Sequence, residues 1–205
     1  MRGKFITLEG IDGAGKSTHL RWIARFLKGR RIKVTVTREP GGTAFGETLR
    51  RLLLGGRQRL HPETETLLVF AARREHLDKV IAPALGAGRW VLCDRFTDAT
   101  YAYQSGGSRV RWGRVGALER WVQRGLQPDL TILFDVSLAV ARRRAGRKIR
   151  PDRFERERDA YFERVRKAYL RRHREDPRRV RVIEAGRGMA EIRKELEPLL
   201  LKLCP

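Results

Sequence analysis

Gly10-Ile11-Asp12-Gly13-Ala14-Gly15-Lys16-Ser17 is the run on which the fold turns. It matches G-x-x-x-x-G-K-[ST] without a gap. Before it stands a short apolar stretch, Lys4–Glu9. After it, from about Ser17, Leu20, Ile23, Ala24 and Leu27 recur at helical spacing until Gly29. A strand, a glycine-rich turn and a helix in this order form a cradle for phosphate. Glycines let backbone N–H groups converge on phosphate oxygens with no Cβ in the way. The helix start turns its positive dipole end to the same anion. Lys16 can reach the β- and γ-phosphates, and the Ser17 hydroxyl can ligate Mg²⁺. Residues Gly10 to Thr18 therefore predict a bound nucleotide. Asp12 is the odd member, because a carboxylate in an anion cradle must face something else. A sugar hydroxyl or the outer sphere of Mg²⁺ would suit it; so would a plain turn before Gly13.

Outward from the cradle, strand-like and helical stretches alternate. Ile32–Thr37 is a β-branched strand candidate, followed by the breaker-rich loop Arg38-Glu39-Pro40-Gly41-Gly42-Thr43. Helical patterns fill roughly 44–54 and 63–87. Trp90–Cys93, Leu130–Phe134 and Val180–Ile183 read as further strands. Helical stretches lie near 113–125 and 155–174, and a last helix runs from about 190 to 203. Strands alternating with helices predict an α/β fold with a five-stranded parallel sheet and helices on both faces. No internal repeat and no linker rich in Ser, Pro or Gly interrupts the pattern, so 1–205 reads as one domain. Residues 142–153 stand apart. Seven of those twelve are basic (Arg142, Arg143, Arg144, Arg147, Lys148, Arg150 and Arg153) with little to bury, which predicts a mobile surface flap.

The chain has 205 residues, 41% of them hydrophobic, enough for a core and too many for wholesale disorder. It has no apolar run long enough to span a membrane. Charge arrives too early in Met1-Arg2-Gly3-Lys4 for a signal-peptide core. The two cysteines, Cys93 and Cys204, argue against a disulfide framework or a Cys-ligated metal, and a cytoplasmic setting is expected. The net charge is +22, and lysine supplies only nine of the 46 basic residues. Such a balance suits polyanions. The arginines are scattered, however, with local clusters at 142–144, 171–172 and 178–179 and no basic tail, as on a solvated surface.

Cys93-Asp94-Arg95 follows the third strand directly. Ligands gather at the carboxyl ends of strands in open parallel sheets. Asp94 is thus expected on the Mg²⁺ side and Arg95 near a phosphate. Asp135 ends the fourth strand in the same way, without an evident role.

Taken together, the cradle with Asp at its third position, Thr37-Arg38-Glu39-Pro40-Gly41-Gly42-Thr43, Asp94-Arg95-Phe96, Ala102-Tyr103-Gln104 and Pro128-Asp129-Leu130 resemble bacterial thymidylate kinase. The likeness runs in order from residue 4 to about 173. It implies a P-loop kinase fold, transfer of the ATP γ-phosphate to dTMP with Mg²⁺, and commonly a homodimer. By position, the resemblance places Asp12 toward the dTMP sugar and phosphate, and Arg95 on the dTMP phosphate. Tyr103 would stand against the sugar's 2′ position, and Thr100 and Gln104 beside the base. Arg38, Glu39, Pro40 and Arg50 join the same acceptor site. Lys16 and Arg95 would be catalytic, as would the lid residues Arg144, Arg147 and Lys148. Those lid residues stand in for an arginine that another branch of the family carries where this chain has Gly13. Ser17, Asp94 and Asp12 would face the metal. For the family's Phe-x-x-x-Arg pair, which reads the base, Leu68-Val69-Phe70-Ala71-Ala72-Arg73-Arg74 offers two registers. Phe70 pairs with Arg74, or Arg73 pairs with Val69 in the aromatic's place. His76 reads as a helix-surface residue.

Two other readings are open. One is a kinase for another nucleotide or deoxynucleoside. The other, prompted by the +22 charge, is a nucleic-acid-binding P-loop protein; it lacks a basic tail, an aromatic RNA-binding signature and a zinc motif.

Overall fold

A computed structural model describes residues 2–55, 60–145 and 159–204. Five strands form one parallel sheet: β1 (Phe5–Glu9), β2 (Val34–Arg38), β3 (Trp90–Asp94), β4 (Leu130–Asp135) and β5 (Val180–Glu184), in the order β2-β3-β1-β4-β5. All five lie within two residues of the stretches expected from the sequence. β1 is central, with Ile6 opposite Leu92 on one side and Leu130 on the other. Every residue of β1 is buried, as a strand covered on both faces requires. β2 is an edge strand and half-exposed.

Alternation along the strands divides the core. Ile6, Leu8, Leu92 and Ile132 pack against Leu20, Ile23 and Leu27 of α1 (Lys16–Gly29) and Ile192, Leu196 and Leu200 of α9 (Met189–Leu201). Phe5, Val91 and Cys93 meet Phe70 of α3 (Pro62–His76), Leu85 of α4 (Ala82–Gly86) and Val115 and Val122 of α6 (Trp112–Gln123). The helical pattern expected over 63–87 is one continuous path with a π-helical turn at Leu77–Ile81. That turn comes just before Pro83, which has no N–H to give to the preceding turn. α2 (Ala44–Gly55) lies against α3.

Two segments differ from expectation. Thr97–Thr100 forms α5 and runs straight into a π-helical stretch, Tyr101–Gly107, which packs along α8 (Asp159–Glu175). The sequence pattern assigns no element to this stretch. Residues 142–145, placed in a mobile flap, are the end of α7 (Leu138–Ala145), with Ala141 buried beneath. The remainder of that flap, including Arg147, Lys148, Arg150 and Arg153, lies outside the described residues.

Candidate active site

The turn after β1 curls over the carboxyl end of the sheet. Gly10 (φ +132°) and Gly13 (φ +83°) hold backbone conformations that side chains oppose. Space forbids a side chain as well. A Cβ on Gly13 would stand 2.1 Å from the Ala141 carbonyl oxygen, and one on Gly10 would stand 2.5 Å from that of Phe134. Ala14 and Ile11 are buried beneath the turn. Lys16 folds back across it, donating to the carbonyls of Gly10 (2.9 Å) and Ile11 (3.0 Å). Burial, with Arg95 close by, pushes its ammonium down to about 8.

A cleft of about 1160 Å³ opens above this turn, lined by Gly13, Gly15, Lys16, Ser17 and Thr18, by Arg38 and Asp94 from the ends of β2 and β3, and by Arg144 of α7. Ser17 is exposed there. Asp94 Oδ1 is buried and meets no hydrogen-bond donor among the described residues. A carboxylate and a hydroxyl side by side are oxygen donors of the kind that would suit Mg²⁺. Arg144 is anchored from behind by the carbonyls of Ala185 and Gly186.

A second cleft, of about 640 Å³, adjoins the first. Asp12, Glu39, Arg50 and Arg95 line both. Arg95 is therefore on the shared wall. Its backbone takes φ +69°. Its Nη2 meets Asp12 Oδ1 at 2.8 Å, its Nη1 meets Gly10 O at 3.0 Å, and its guanidinium lies 4.8 Å over the Tyr103 ring. Arg50 donates to the Pro40 carbonyl (2.9 Å), and Arg38 pairs with Glu47 (2.9 Å). Pro40, Thr100, Tyr103 and Gln104 line this second cleft as well.

The geometry of α3 selects between the two registers. Arg73 lines the cleft beside Val69. It is 1% exposed; its Nε bonds Glu39 Oε2 (2.8 Å) and its Nη2 bonds Thr100 Oγ1 (2.9 Å). Its Nη1 is buried without a partner among the described residues, a donor held ready beside the cavity. Phe70 does not line the cleft. It is core, packed with Phe5 and Phe96, and Arg73 rests over its ring at 4.7 Å. Arg74 points away, to Asp78 and to the carbonyl of Val122 (2.8 Å). The expectations for Phe70 and Arg74 are thus corrected by the rotation of the helix. So is that for His76, which is fully buried. Its Nδ1 lies 2.9 Å from Glu39 Oε1 and its Nε2 lies 2.6 Å from Thr37 Oγ1. His76 steadies the carboxylate that steadies Arg73.

Sequence reasoning missed Leu54, Phe96 and Ala99 as cleft residues. Apolar side chains in helical patterns carry no signal that separates wall from core. It also read the arginine clusters as surface. Arg172 and Arg179 instead hold Asp98, which is 1% exposed, through bonds of 2.8 and 2.7 Å. Asp135 finds a partner in Arg166, at 2.6 and 2.7 Å.

A family model described as thymidylate kinase matches residues 8–196. A thymidylate kinase of Nitrosospira multiformis is 58% identical over 197 residues, covering 96% of each chain. One of Cupriavidus metallidurans is 59% identical over 203 residues, covering 99% of this chain and 100% of the relative. Among solved structures, thymidylate kinase from Ehrlichia chaffeensis superimposes with a TM-score of 0.78 at 33% identity, over 98% of this chain and 99% of the other.

Proposed function

The chain belongs to the thymidylate kinase family, and from that membership we propose that it transfers the ATP γ-phosphoryl group to dTMP. The observation that carries the reading is the meeting of two clefts across Arg95 and Asp12, one over a phosphate cradle and one lined by Arg73, Thr100, Tyr103 and Gln104. ATP phosphates lie on the backbone N–H groups of the cradle and on Lys16. The dTMP phosphate lies on Arg95, with Arg50 and Arg38 nearby. The base points to Arg73 and Gln104, and Tyr103 stands against the sugar. An oxygen of the dTMP phosphate attacks the γ-phosphorus in line, and the β–γ bridging oxygen leaves with ADP. The attacking phosphate oxygen is already anionic at neutral pH, so no strong base is needed. Lys16, Arg95 and Arg144 offset the repulsion between two phosphate chains, and positioning supplies most of the rest. Ser17 and Asp94 would hold Mg²⁺, which adds charge neutralisation at the β- and γ-oxygens. Of the lid residues expected to share this work, Arg147 and Lys148 belong to the proposal only through the family resemblance.

Two apolar side chains support a homodimer. Trp121 on α6 is 74% exposed and Leu67 on α3 is 54% exposed, on helices that pack side by side. Exposed apolar side chains of this size favour a second copy. No helix among the described residues is long and apolar enough to cross a membrane, and both cysteines are free. A cytoplasmic setting fits these features. A coupled kinase assay comparing dTMP, dUMP, dCMP and dGMP tests the reading. Preferred turnover of dTMP is expected; equal or better turnover of another acceptor overturns it.

A further inference from the structure

Glu9 closes β1 just before the phosphate cradle, and the mechanism above gives it no task. Its carboxyl is fully buried. One oxygen accepts the backbone N–H of Phe96 at 2.7 Å, and the other accepts the Tyr169 hydroxyl of α8 at 2.9 Å. That hydroxyl in turn accepts from Arg95 Nη1 at 3.2 Å. A single carboxyl therefore grips Arg95 twice: by the backbone immediately after it, and through a phenol by its guanidinium. Arg95 needs the grip. At φ +69° its backbone is in the left-handed region, which opposes a non-glycine side chain. Its guanidinium lies over Tyr103 and is shared among Asp12, the Gly10 carbonyl and the Tyr169 hydroxyl, the last of which Glu9 holds from behind.

We propose that Glu9, acting through Tyr169, is a positioning residue that aims the Arg95 guanidinium at the acceptor phosphate. The inference rests on the reading of Arg95 given above. Charge favours this design. Burial pushes the Glu9 carboxyl up to about 8, with Asp98 adding to the shift and Arg95 opposing it. Near neutral pH the group is uncharged. It orients Arg95 without becoming a second counter-charge beside Asp12, and so does not compete with the incoming phosphate.

Steady-state kinetics on the full chain separate this from a purely structural role. Tyr169→Phe keeps the ring and removes the link. It should raise the dTMP KM roughly fivefold to tenfold, the scale of one ordinary hydrogen bond, while the ATP KM stays within about twofold. Glu9→Gln keeps an acceptor for Phe96 but turns an N–H₂ to the Tyr169 hydroxyl, which loses its acceptor, so its dTMP KM should rise as in Tyr169→Phe. The double variant should be no worse than Tyr169→Phe alone. A dTMP KM unmoved by Tyr169→Phe overturns the inference. So does a rise in both KM values together, or a dTMP KM unmoved in Glu9→Gln. A wild type inactive on dTMP removes the acceptor reading and this inference with it; an active wild type with indifferent variants removes the inference alone.

Discussion

At the scale of single residues, the site divides between groups that meet phosphate and groups that hold those groups still. Lys16 is of the first kind. Lys16→Ala should leave the fold intact and cut kcat by at least about a hundredfold, as for loss of one charge aimed at a transition state. A folded variant with near-normal turnover, by circular dichroism and the coupled assay, would sink the assignment. Arg73 is held by Glu39 and Thr100, while Arg74 faces Asp78 outside the cleft. Arg73→Ala should therefore raise the dTMP KM about tenfold, the scale of one lost buried polar contact. Arg74→Ala should leave the dTMP KM within about twofold. Measured KM values for the pair check this directly. The reverse order would mean that the base is read on the other face of α3. Only the register of α3 distinguishes these two arginines. By spacing alone each was an equal candidate.

At the scale of elements, the phosphate cradle and α7 are one unit. Gly13 touches the Ala141 backbone so closely that no Cβ fits. Gly13→Ala must push α7 outward or distort the cradle, on top of the cost of φ +83° for a side chain. The expected loss is about 1–3 kcal/mol of stability, with the ATP KM rising more than the dTMP KM; thermal melts and two-substrate kinetics would show it. The contact also explains why an arginine cannot stand at this position here and why Arg144, one turn further along α7, reaches the phosphate cleft instead. The strands and long helices were readable because their signals are local: β-branched runs, helical spacing and glycine breakers. The segment Thr97–Gly107 was not. Its helical turns are held by α8, far away in sequence, rather than by their own residues.

At the scale of the whole molecule, the large positive charge is partly spent inside. Asp98 joins α5 to Arg172 at the end of α8 and to Arg179 before β5. Burial works against its charge, but the bonds and charges of Arg179 and Arg172 outweigh it and bring the carboxyl down to about 2. This stabilisation is full above the ordinary carboxylate range and is lost as pH falls toward 2. At about 1.4 kcal/mol per unit it is worth some 2 kcal/mol. Glu9 acts in the opposite sense. Its carboxyl is raised from 4.5 to about 8, so the folded chain binds the extra proton and stability declines as pH rises across that window. Glu9→Gln should flatten the neutral limb of a stability–pH curve and leave the acid limb alone. Asp98→Asn should cost about 3–5 kcal/mol at neutral pH by removing the buried carboxylate that Arg172 and Arg179 share. Urea titrations at several pH values measure both. By itself, the sequence determined the phosphate cradle, the strand–helix order and hence the edge of the sheet where ligands gather. Those features rest on residue types at fixed short spacing. Only the tertiary structure decided that Arg73 rather than Arg74 faces the cleft, that Phe70 and His76 are buried, and that Arg172 and Arg179 are interior partners. Neighbours on a helix point about 100° apart, and nothing local says which direction is inward. That choice belongs to the surfaces against which the helix packs.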